Sequence, residues 1–346
     1  MSLMDRKTLL ITLAKITLSL GILGYLIYSA VDTPEKREAF FGMLQQHKAW
    51  GFLIAGFVTL LSVVVLTMVR WWYLVRALGI DFSVSDALRI GFIGYLFNLA
   101  PMGIVTGDLL KAWILAREKP GNRAKALASV VVDRIVGLYV LFLVATAGVF
   151  LTGFWSNPDP MVHRICWAVL IITFGSTVGI ALVLFPGFLE GPLVQALTRI
   201  PKIGGAIQGL LDAVLIYRSK RLVLFLTSLM TVPVHVFLTI SLFLLALGLR
   251  FGDVCGGDYF AIYPISGILS AIPLPAGPAE MGIVFFYKTA LLQATQGVVG
   301  AAVAKQQGLI LALVYRLTTV LIAPIGAAYY FLGGRGEVTE VLHEEE

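Results

Sequence analysis

Two acidic residues stand at the same distance behind a proline in two interrupted apolar segments. Asp108 follows Pro101 by seven residues in "GYLFNLAPMGIVTGDLLKAW", and Glu280 follows Pro273 by seven residues in "SGILSAIPLPAGPAEMGIVF". Proline breaks a helix, and broken backbone inside a bilayer persists only where protein or a wet cavity satisfies its polar groups. Broken apolar segments at corresponding places in two halves are typical of transporter binding sites. The pattern therefore predicts two re-entrant segments that form one site.

The polar residues around the first break allow two interpretations. Asp108 stands at the start of a helical stretch, where a carboxylate caps free N–H groups and suits the positive end of the helix dipole. Alternatively, Asp108 and Lys111 lie one turn apart and face a polar cavity. Asn98 precedes the break and has the amide groups to bond a freed carbonyl or a ligand headgroup. Asn98, Asp108 and Lys111 are therefore candidate substrate-binding residues.

Asp133 and Arg134 are adjacent charges inside a long apolar run. Charges at membrane depth are costly, usually face the bundle interior and indicate a functional site. Adjacent helical residues do not face each other, so each member of the pair needs a partner elsewhere. The candidate partners are Asp108, Glu280 and Lys111. The alternative is a structural ion pair that is buried near the cytoplasmic interface.

Arg316 occupies a place in the second half of the chain that matches Arg134. The string "VVVDRIVG" at 130–137 corresponds to "ALVYRLTT" at 312–319. Together with the proline–acid spacing, this match indicates an internal repeat. The topology read from the charges of the loops predicts that its two halves run in opposite directions, as in the inverted repeats of many carriers. Chance similarity between apolar sequences is the alternative. Glu280 is expected to cap the helix that follows it, and Glu280 and Arg316 complete the candidate substrate-binding residues.

The composition excludes a soluble protein. Hydrophobic residues make up 58% of the 346 residues and charged residues only 13%, against about 25% charged in a soluble domain. Apolar runs at 9–30, 50–69, 163–185 and 222–249 each reach the roughly 20 residues that cross a bilayer. The expected fold class is an all-α, polytopic transmembrane helical bundle, with two broken, re-entrant helical segments in an inverted repeat.

We expect one integral membrane domain over residues 1–346. Its parts are a first span and connector, the first repeat half, a linking span with a cytoplasmic connector, the second repeat half and an acidic tail, at 1–44, 45–160, 161–221, 222–332 and 333–346. The second broken segment, at about 259–295, is alternatively two short spans.

The net charge of +6 is distributed as membrane topology requires. Most Lys and Arg stand in short loops between spans, as in cytoplasm-facing segments. This pattern argues against nucleic acid as a partner, and it predicts a multi-pass protein of the cell (inner) membrane with both termini in the cytoplasm. Arg70 and Arg76 are expected to be cytoplasmic anchors, with Trp71, Trp72 and Tyr73 in an interfacial belt.

No catalytic or cofactor motif occurs in the sequence. It lacks the HExxH, GxSxG and P-loop patterns and any paired histidine cluster. Cys166 and Cys255 are the two cysteines, and neither has a CxxC neighbour, so no metal or redox site is expected. We therefore expect no cofactor and no enzymatic activity. An embedded lipid-modifying enzyme would need a nucleophile or metal set that the sequence does not offer.

Four strings follow one another along the chain: "RWWYLVRALG", "NLAPMGIVTGDLLKAW", "ASVVVDRIVGL" and "IPLPAGPAEMG". In this order they resemble the membrane-domain family of lysylphosphatidylglycerol synthases, over about residues 45–330. The resemblance implies a flippase-like domain that moves an aminoacylated lipid between leaflets, while a separate soluble domain attaches the amino acid. The chain ends soon after its last span, so lysyl transfer is not expected. The family tends to have Arg at Lys111 and a basic residue at Ala279, and these departures weaken a bidentate phosphate clamp.

The expected function is that of a lipid flippase or transporter, which moves a phospholipid or lipid-linked headgroup between leaflets. Arg134, Arg316 and Lys111 would hold a phosphate, and the nearby carboxylates would balance charge or bind an amine. Without an ATP site, transport would be passive or ion-coupled. The alternative is a non-transporting membrane accessory protein in lipid or cell-envelope polysaccharide synthesis, with envelope or lipid-synthesis enzymes as its partners.

Overall fold

The chain folds as helices joined by short loops in a computed structural model, which describes residues 6–99, 104–184, 191, 198, 204–270, 272, 274 and 276–334. No strand occurs among these residues. Helical segments that are long and apolar enough to cross a membrane lie at Trp50–Ala77, Arg123–Leu151, Pro160–Leu182, Arg221–Gly248 and Ala301–Leu332. The prediction of an all-α, multi-pass membrane protein is confirmed.

The helices are numbered here in chain order. They are α1 Arg6–Val31, α2 Pro34–Gln45, α3 Trp50–Ala77, α4 Val84–Asn98, α5 Ile104–Glu118, α6 Arg123–Leu151, α7 Pro160–Leu184, α8 Gly204–Arg218, α9 Arg221–Gly248, α10 Tyr259–Leu269, α11 Pro278–Ala294, α12 Ala301–Val320 and α13 Ala323–Tyr329. A π-helical turn, Tyr330–Gly334, follows α13.

Local sequence signals set the starts of the site-forming helices. Ser83 and Asp86 form a reciprocal capping box at the start of α4, which satisfies two backbone donors that the first turn leaves free. At the start of α11, Gly277 adopts φ +112°, a conformation that residues with a Cβ rarely reach. Pro278 then occupies the first turn, where its missing N–H costs nothing.

α3 and α9 form an antiparallel pair at the centre of the bundle. Near one end, Ala49 N donates to Gly248 O at 2.9 Å. One to two turns further along α3, Ser241 Oγ donates to Gly56 O at 2.8 Å. These contacts fix the two helices against each other, and both of the short helix pairs described next pack against this centre.

Two pairs of short helices, α4–α5 and α10–α11, occupy the places of the predicted broken segments. The first pair begins beside the end of α3, where Trp72 Nε1 donates to Phe82 O at 2.9 Å. The second pair begins beside the end of α6, where a Cβ on Gly148 would come within 1.9 Å of Phe260 O. The first pair leads directly from α5 into the start of α6, whereas the second pair begins beside the end of α6. The two pairs therefore approach α6 from opposite ends.

This arrangement is the one that an inverted repeat requires. In each half a long helix precedes a broken pair and a second long helix follows it, as α3 to α6 and α9 to α12. The repeat and the entry of the broken pairs from opposite membrane faces stay predictions. Pro101 and Pro273 lie outside the described residues.

The structure adds a helix inside the predicted cytoplasmic connector. α8 packs against α6, and its Tyr217 is fully buried and donates to Leu74 O at 3.0 Å. The last apolar stretch, at 308–332, is divided between α12 and α13 by a turn at Leu321 and Ile322. The sequence analysis did not predict this helix because the connector contains basic residues and prolines, which lower its hydropathy.

Candidate functional site

Asp108 lies in the second turn of α5, which begins at Ile104. The expectation that Asp108 caps the start of a helix is therefore wrong, since capping side chains stand at the residue before the helix or within its first turn. Its carboxylate is buried and forms ion pairs with two cationic side chains instead. Lys111 Nζ lies 2.8 Å from Oδ1, and Arg134 Nε lies against Oδ2. Of the three partners proposed for the Asp133–Arg134 dipeptide, Asp108 is thus the one that Arg134 takes.

Asn98 closes the first helix pair. Its Oδ1 accepts a hydrogen bond from Gly107 N at 3.0 Å, so it satisfies a freed amide N–H rather than a freed carbonyl. Behind this contact the two helices almost touch, because a Cβ on Gly107 would lie 2.0 Å from Gly94 O. Only glycine allows this approach, and the approach brings Asp108 within reach of α6.

The second helix pair repeats these features around Glu280. Glu280 Oε2 accepts from Gly277 N at 2.7 Å, so the prediction that Glu280 caps the following helix is confirmed. Its Oε1 lies 3.8 Å from Arg316 Nε, an ion pair across to α12. The two helices are again in close contact, since a Cβ on Gly282 would come within 2.8 Å of the backbone of Ser266.

Asp133 bonds to Arg70 rather than to any of its predicted partners. Arg70 Nε and Nη2 donate to the two carboxylate oxygens at 2.8 and 3.0 Å, and Nη1 donates to Thr231 at 2.9 Å. The expectation that Arg70 is an interfacial anchor is wrong, because only 6% of its side chain is exposed. Trp71 is likewise buried rather than interfacial, and its Nε1 donates to Ser129. This network supports the structural interpretation of Asp133.

A cavity of about 350 Å³ lies between the two helix pairs. Arg134, Glu280 and Arg316 line it together with Asn98 from the first pair. The opposite wall is apolar and comes from α3 and α9, at Leu60, Val63, Val64 and Leu238. Its volume falls in the range of about 300–1,000 Å³ that holds small molecules in proteins.

A second cavity of about 130 Å³ adjoins the first. Lys111, Asp133 and Arg70 line the second cavity, and Arg134 and Asn98 line both. The Arg134 side chain keeps 45% of its surface exposed, and part of this surface faces the cavities. Asp108 joins them through its ion pairs with Arg134 and Lys111. All the predicted site residues therefore meet around one pair of cavities.

The cavities lie far from the ends of the long helices. Arg134 is the twelfth residue of α6, Arg123–Leu151, which places it about 16 Å from one end and about 25 Å from the other at 1.5 Å per residue. The hydrocarbon core of a bilayer is about 30 Å thick. A charged side chain at this depth requires the ion pairs and the polar cavity that surround it.

Three tyrosines that the sequence reasoning did not single out as site residues complete the polar wall. Tyr315 donates to Tyr263 at 3.2 Å, and Tyr95 donates to the backbone carbonyl of Thr319 at 2.8 Å. All three tyrosines line the larger cavity. The one sequence signal for these tyrosines was the position of Tyr315 next to Arg316, because the repeat match already identified Arg316 as a candidate site residue.

Comparison with known proteins identifies the family. Residues 12–326 match the family model for the lysylphosphatidylglycerol synthase transmembrane region. A UPF0104 membrane protein of Methanocaldococcus jannaschii is 21% identical over 249 residues, which cover 66% of this chain and 72% of the relative. No solved structure matches the chain. The chain therefore belongs to the lysylphosphatidylglycerol synthase transmembrane family, as the sequence resemblance predicts.

Proposed function

We propose that this membrane protein moves the headgroup of a phosphate-containing lipid between the two leaflets. The observation that carries the proposal is the larger cavity, which is bounded by both broken helix pairs at the mid-length of the long helices. One wall is charged and one is apolar, which matches the two ends of a lipid. Sites at the junction of two structural repeats near the bilayer midplane are typical of carriers.

The two arginines are the proposed phosphate ligands. Arg134 and Arg316 both line the larger cavity, and guanidinium groups bind phosphate oxygens through paired N–H donors. Between turnovers, Asp108 and Glu280 act as resident counter-ions, because an unpaired charge at this depth is costly. An entering phosphate would replace part of these contacts, so the site remains neutralised at each stage.

The close contacts within each helix pair support movement of the pair as a unit. Gly107 against Gly94 and Gly282 against Ser266 leave no room for the two helices of a pair to slide. Rocking of one repeat against the other around a fixed site is a common route to alternating access. The headgroup would then pass between the cavities by way of Arg134, which lines both.

A vesicle assay tests the proposal. The full chain is reconstituted into liposomes that contain a trace of acyl-labelled fluorescent phospholipid, and loss of fluorescence after added dithionite reports the lipid that reaches the outer leaflet. We expect the wild-type protein to accelerate exchange over protein-free vesicles and Arg134→Gln to reduce it about tenfold, the effect of one lost charged contact of roughly 1.4 kcal/mol.

The matched control is Arg164→Gln, since Arg164 is an exposed arginine on α7 that donates to Pro160 O. This variant should exchange lipid at the wild-type rate. Folding of all proteins is checked by gel filtration. If folded wild-type protein binds lipid but gives only the protein-free rate, the protein is a non-transporting accessory in lipid or envelope synthesis.

A further inference from the structure

Lys305 lies where the start of α12 meets the end of α1 and the start of α2. The next residue, Gln306, ties these helices together, because its amide donates to Ala30 O and to Lys36 O at 2.6 Å each. Lys305 Nζ donates to Ser29 Oγ at 2.9 Å. This partner is a neutral hydroxyl, so the contact orients the ammonium group without neutralising its charge.

Two further lysines lie near Lys305. Lys36 on α2 and Lys288 on α11 are both close enough to repel its charge, and all three side chains are partly buried. Lys36 also bonds to Asp32 at 2.6 Å. This hydrogen bond, with a further contribution from Lys305, holds the pKa of Asp32 below its usual range. Lys36, Lys288 and Lys305 are called the lysine cluster below.

The lysine cluster stands on the same two helices as the ion pair of the larger cavity. Glu280 on α11 faces Arg316 on α12. From that pair, Lys288 lies eight residues further along α11 and Lys305 eleven residues back along α12, which are about 12 and 16 Å at 1.5 Å per residue. The cluster therefore lies between the larger cavity and the end of the bundle where α12 begins.

This end of the bundle is also the one where α6 ends. Tyr287, the residue before Lys288, packs against Tyr259 at the start of α10, with ring centroids 6.4 Å apart. The start of α10 in turn lies beside Gly148, near the end of α6. The predicted topology makes this the non-cytoplasmic face, whereas the excess of basic residues in membrane proteins belongs to the cytoplasmic face. Topology therefore does not account for the lysine cluster.

The first half of the chain has a basic residue at the same spacing. Arg123 stands eleven residues before Arg134, as Lys305 stands eleven residues before Arg316. Arg123 begins α6, whereas Lys305 lies at the end of the bundle where α6 ends. Each half thus places a cation about 16 Å from its central arginine, and the two cations lie towards opposite ends of the bundle.

We infer that the lysine cluster binds the phosphate of an anionic lipid in the leaflet at its own face. Converging ammonium groups repel one another and offer donors without acceptors, so an anion with several oxygens complements them. A lipid fits better than a free phosphate because Ile27 and Tyr28, next to Ser29, are exposed at the end of α1, where such side chains meet acyl chains and the interface. This site lies outside the cavities, and its existence does not depend on the proposed transport.

The local lipid composition, measured by fluorescence quenching, tests the inference. The full chain carries a fluorophore on Val303→Cys, two residues from Lys305, in a Cys255→Ser background and in phosphatidylcholine vesicles. The quencher is brominated phosphatidylglycerol or brominated phosphatidylcholine, and the ratio of their association constants reports enrichment of the anionic lipid. The reference is Met161→Cys, because Met161 is exposed in the first turn of α7, away from the lysine cluster.

We expect a higher ratio at Val303→Cys than at Met161→Cys. Lys288→Gln should lower the ratio at Val303→Cys about fivefold, which corresponds to about 1 kcal/mol for a lysine beside anionic lipid. Lys305→Gln should act in the same way.

The matched controls are Lys288→Arg, which keeps the charge, and Arg164→Gln on α7, and both should leave the ratio unchanged. Equal ratios at the two labelled positions, or an unchanged ratio in folded Lys288→Gln and Lys305→Gln, would overturn the inference.

Soluble glycerol phosphate distinguishes a lipid from a free phosphate. Added at the concentration of the accessible brominated phosphatidylglycerol, it should leave the enrichment at Val303→Cys unchanged. Loss of the enrichment would overturn the assignment to a lipid. None of these measurements requires lipid to cross the bilayer, so a protein-free rate in the exchange assay would refute the proposed function alone.

Discussion

Removal of the Asp133 charge should destabilise the protein through Arg70. Both side chains are nearly buried, with 6% and 8% of their surface exposed, and two hydrogen bonds of 2.8 and 3.0 Å join them. Asp133→Asn leaves the guanidinium buried without a counter-ion, and breaking such a pair costs about 3–5 kcal/mol. The adjoining cavity of about 130 Å³ has room for about four waters. Because water would relax the site, we expect the lower end, about 3 kcal/mol.

A double-mutant cycle isolates this pair. Arg70→Met should cost a similar amount, while the double variant Arg70→Met with Asp133→Leu should cost much less than the sum, since apolar replacement of a buried pair is often neutral. Reversible unfolding in mixed micelles, followed by circular dichroism, measures each free energy of unfolding. The control is Asp32→Asn, whose pair with Lys36 is about one-third exposed and should contribute little to stability, because water and salt screen exposed ion pairs. A cost for Asp133→Asn no larger than that of Asp32→Asn would refute the reasoning.

Two further variants test the helix contacts that form the site. Gly107→Ala should destabilise the protein by about 3 kcal/mol, the upper end for an added methyl in a packed core, because its Cβ would lie 2.0 Å from Gly94 O. Thermal unfolding measures this loss. In the same scan the control Gly175→Ala, whose added Cβ would meet nothing within 4 Å, should be neutral or stabilising. Gln306→Leu should cost about 2 kcal/mol in chemical unfolding, because the Gln306 amide donates to two backbone carbonyls in α1 and α2 at 2.6 Å; a loss below about 0.5 kcal/mol would mean that water replaces both bonds.

The helices and the position of the breaks follow from the sequence because they depend on local properties. Apolar length sets the spans, and the seven-residue spacing from Pro101 to Asp108 and from Pro273 to Glu280 places one acid behind each break. Arg134 needed a partner on another helix, and Asp108 was among the few carboxylates available at a comparable depth. Such inferences need only spacing and the cost of an unpaired charge.

The identity of the other partners depends on tertiary geometry. Arg70 is 63 residues from Asp133 in the chain, and whether it faces a neighbouring helix or the interface depends on the rotation of α3, which hydropathy does not fix. Whether Asp108 lies in the first or the second turn of α5 depends on where the helix begins after the break. The cavities themselves depend on close backbone approaches, such as that of Gly148 to Phe260.

The central claim is that a hydrated cavity separates the two broken helix pairs at the depth of the hydrocarbon core. Ser270 lines this cavity, whereas Phe174 is 72% exposed in the middle of α7 and should face acyl chains. Each is replaced by cysteine in a Cys255→Ser background, in nanodiscs that leave both membrane faces accessible to a charged maleimide. We predict rapid labelling of Ser270→Cys and slow labelling of Phe174→Cys. Labelling of Ser270→Cys only after denaturation would contradict the account.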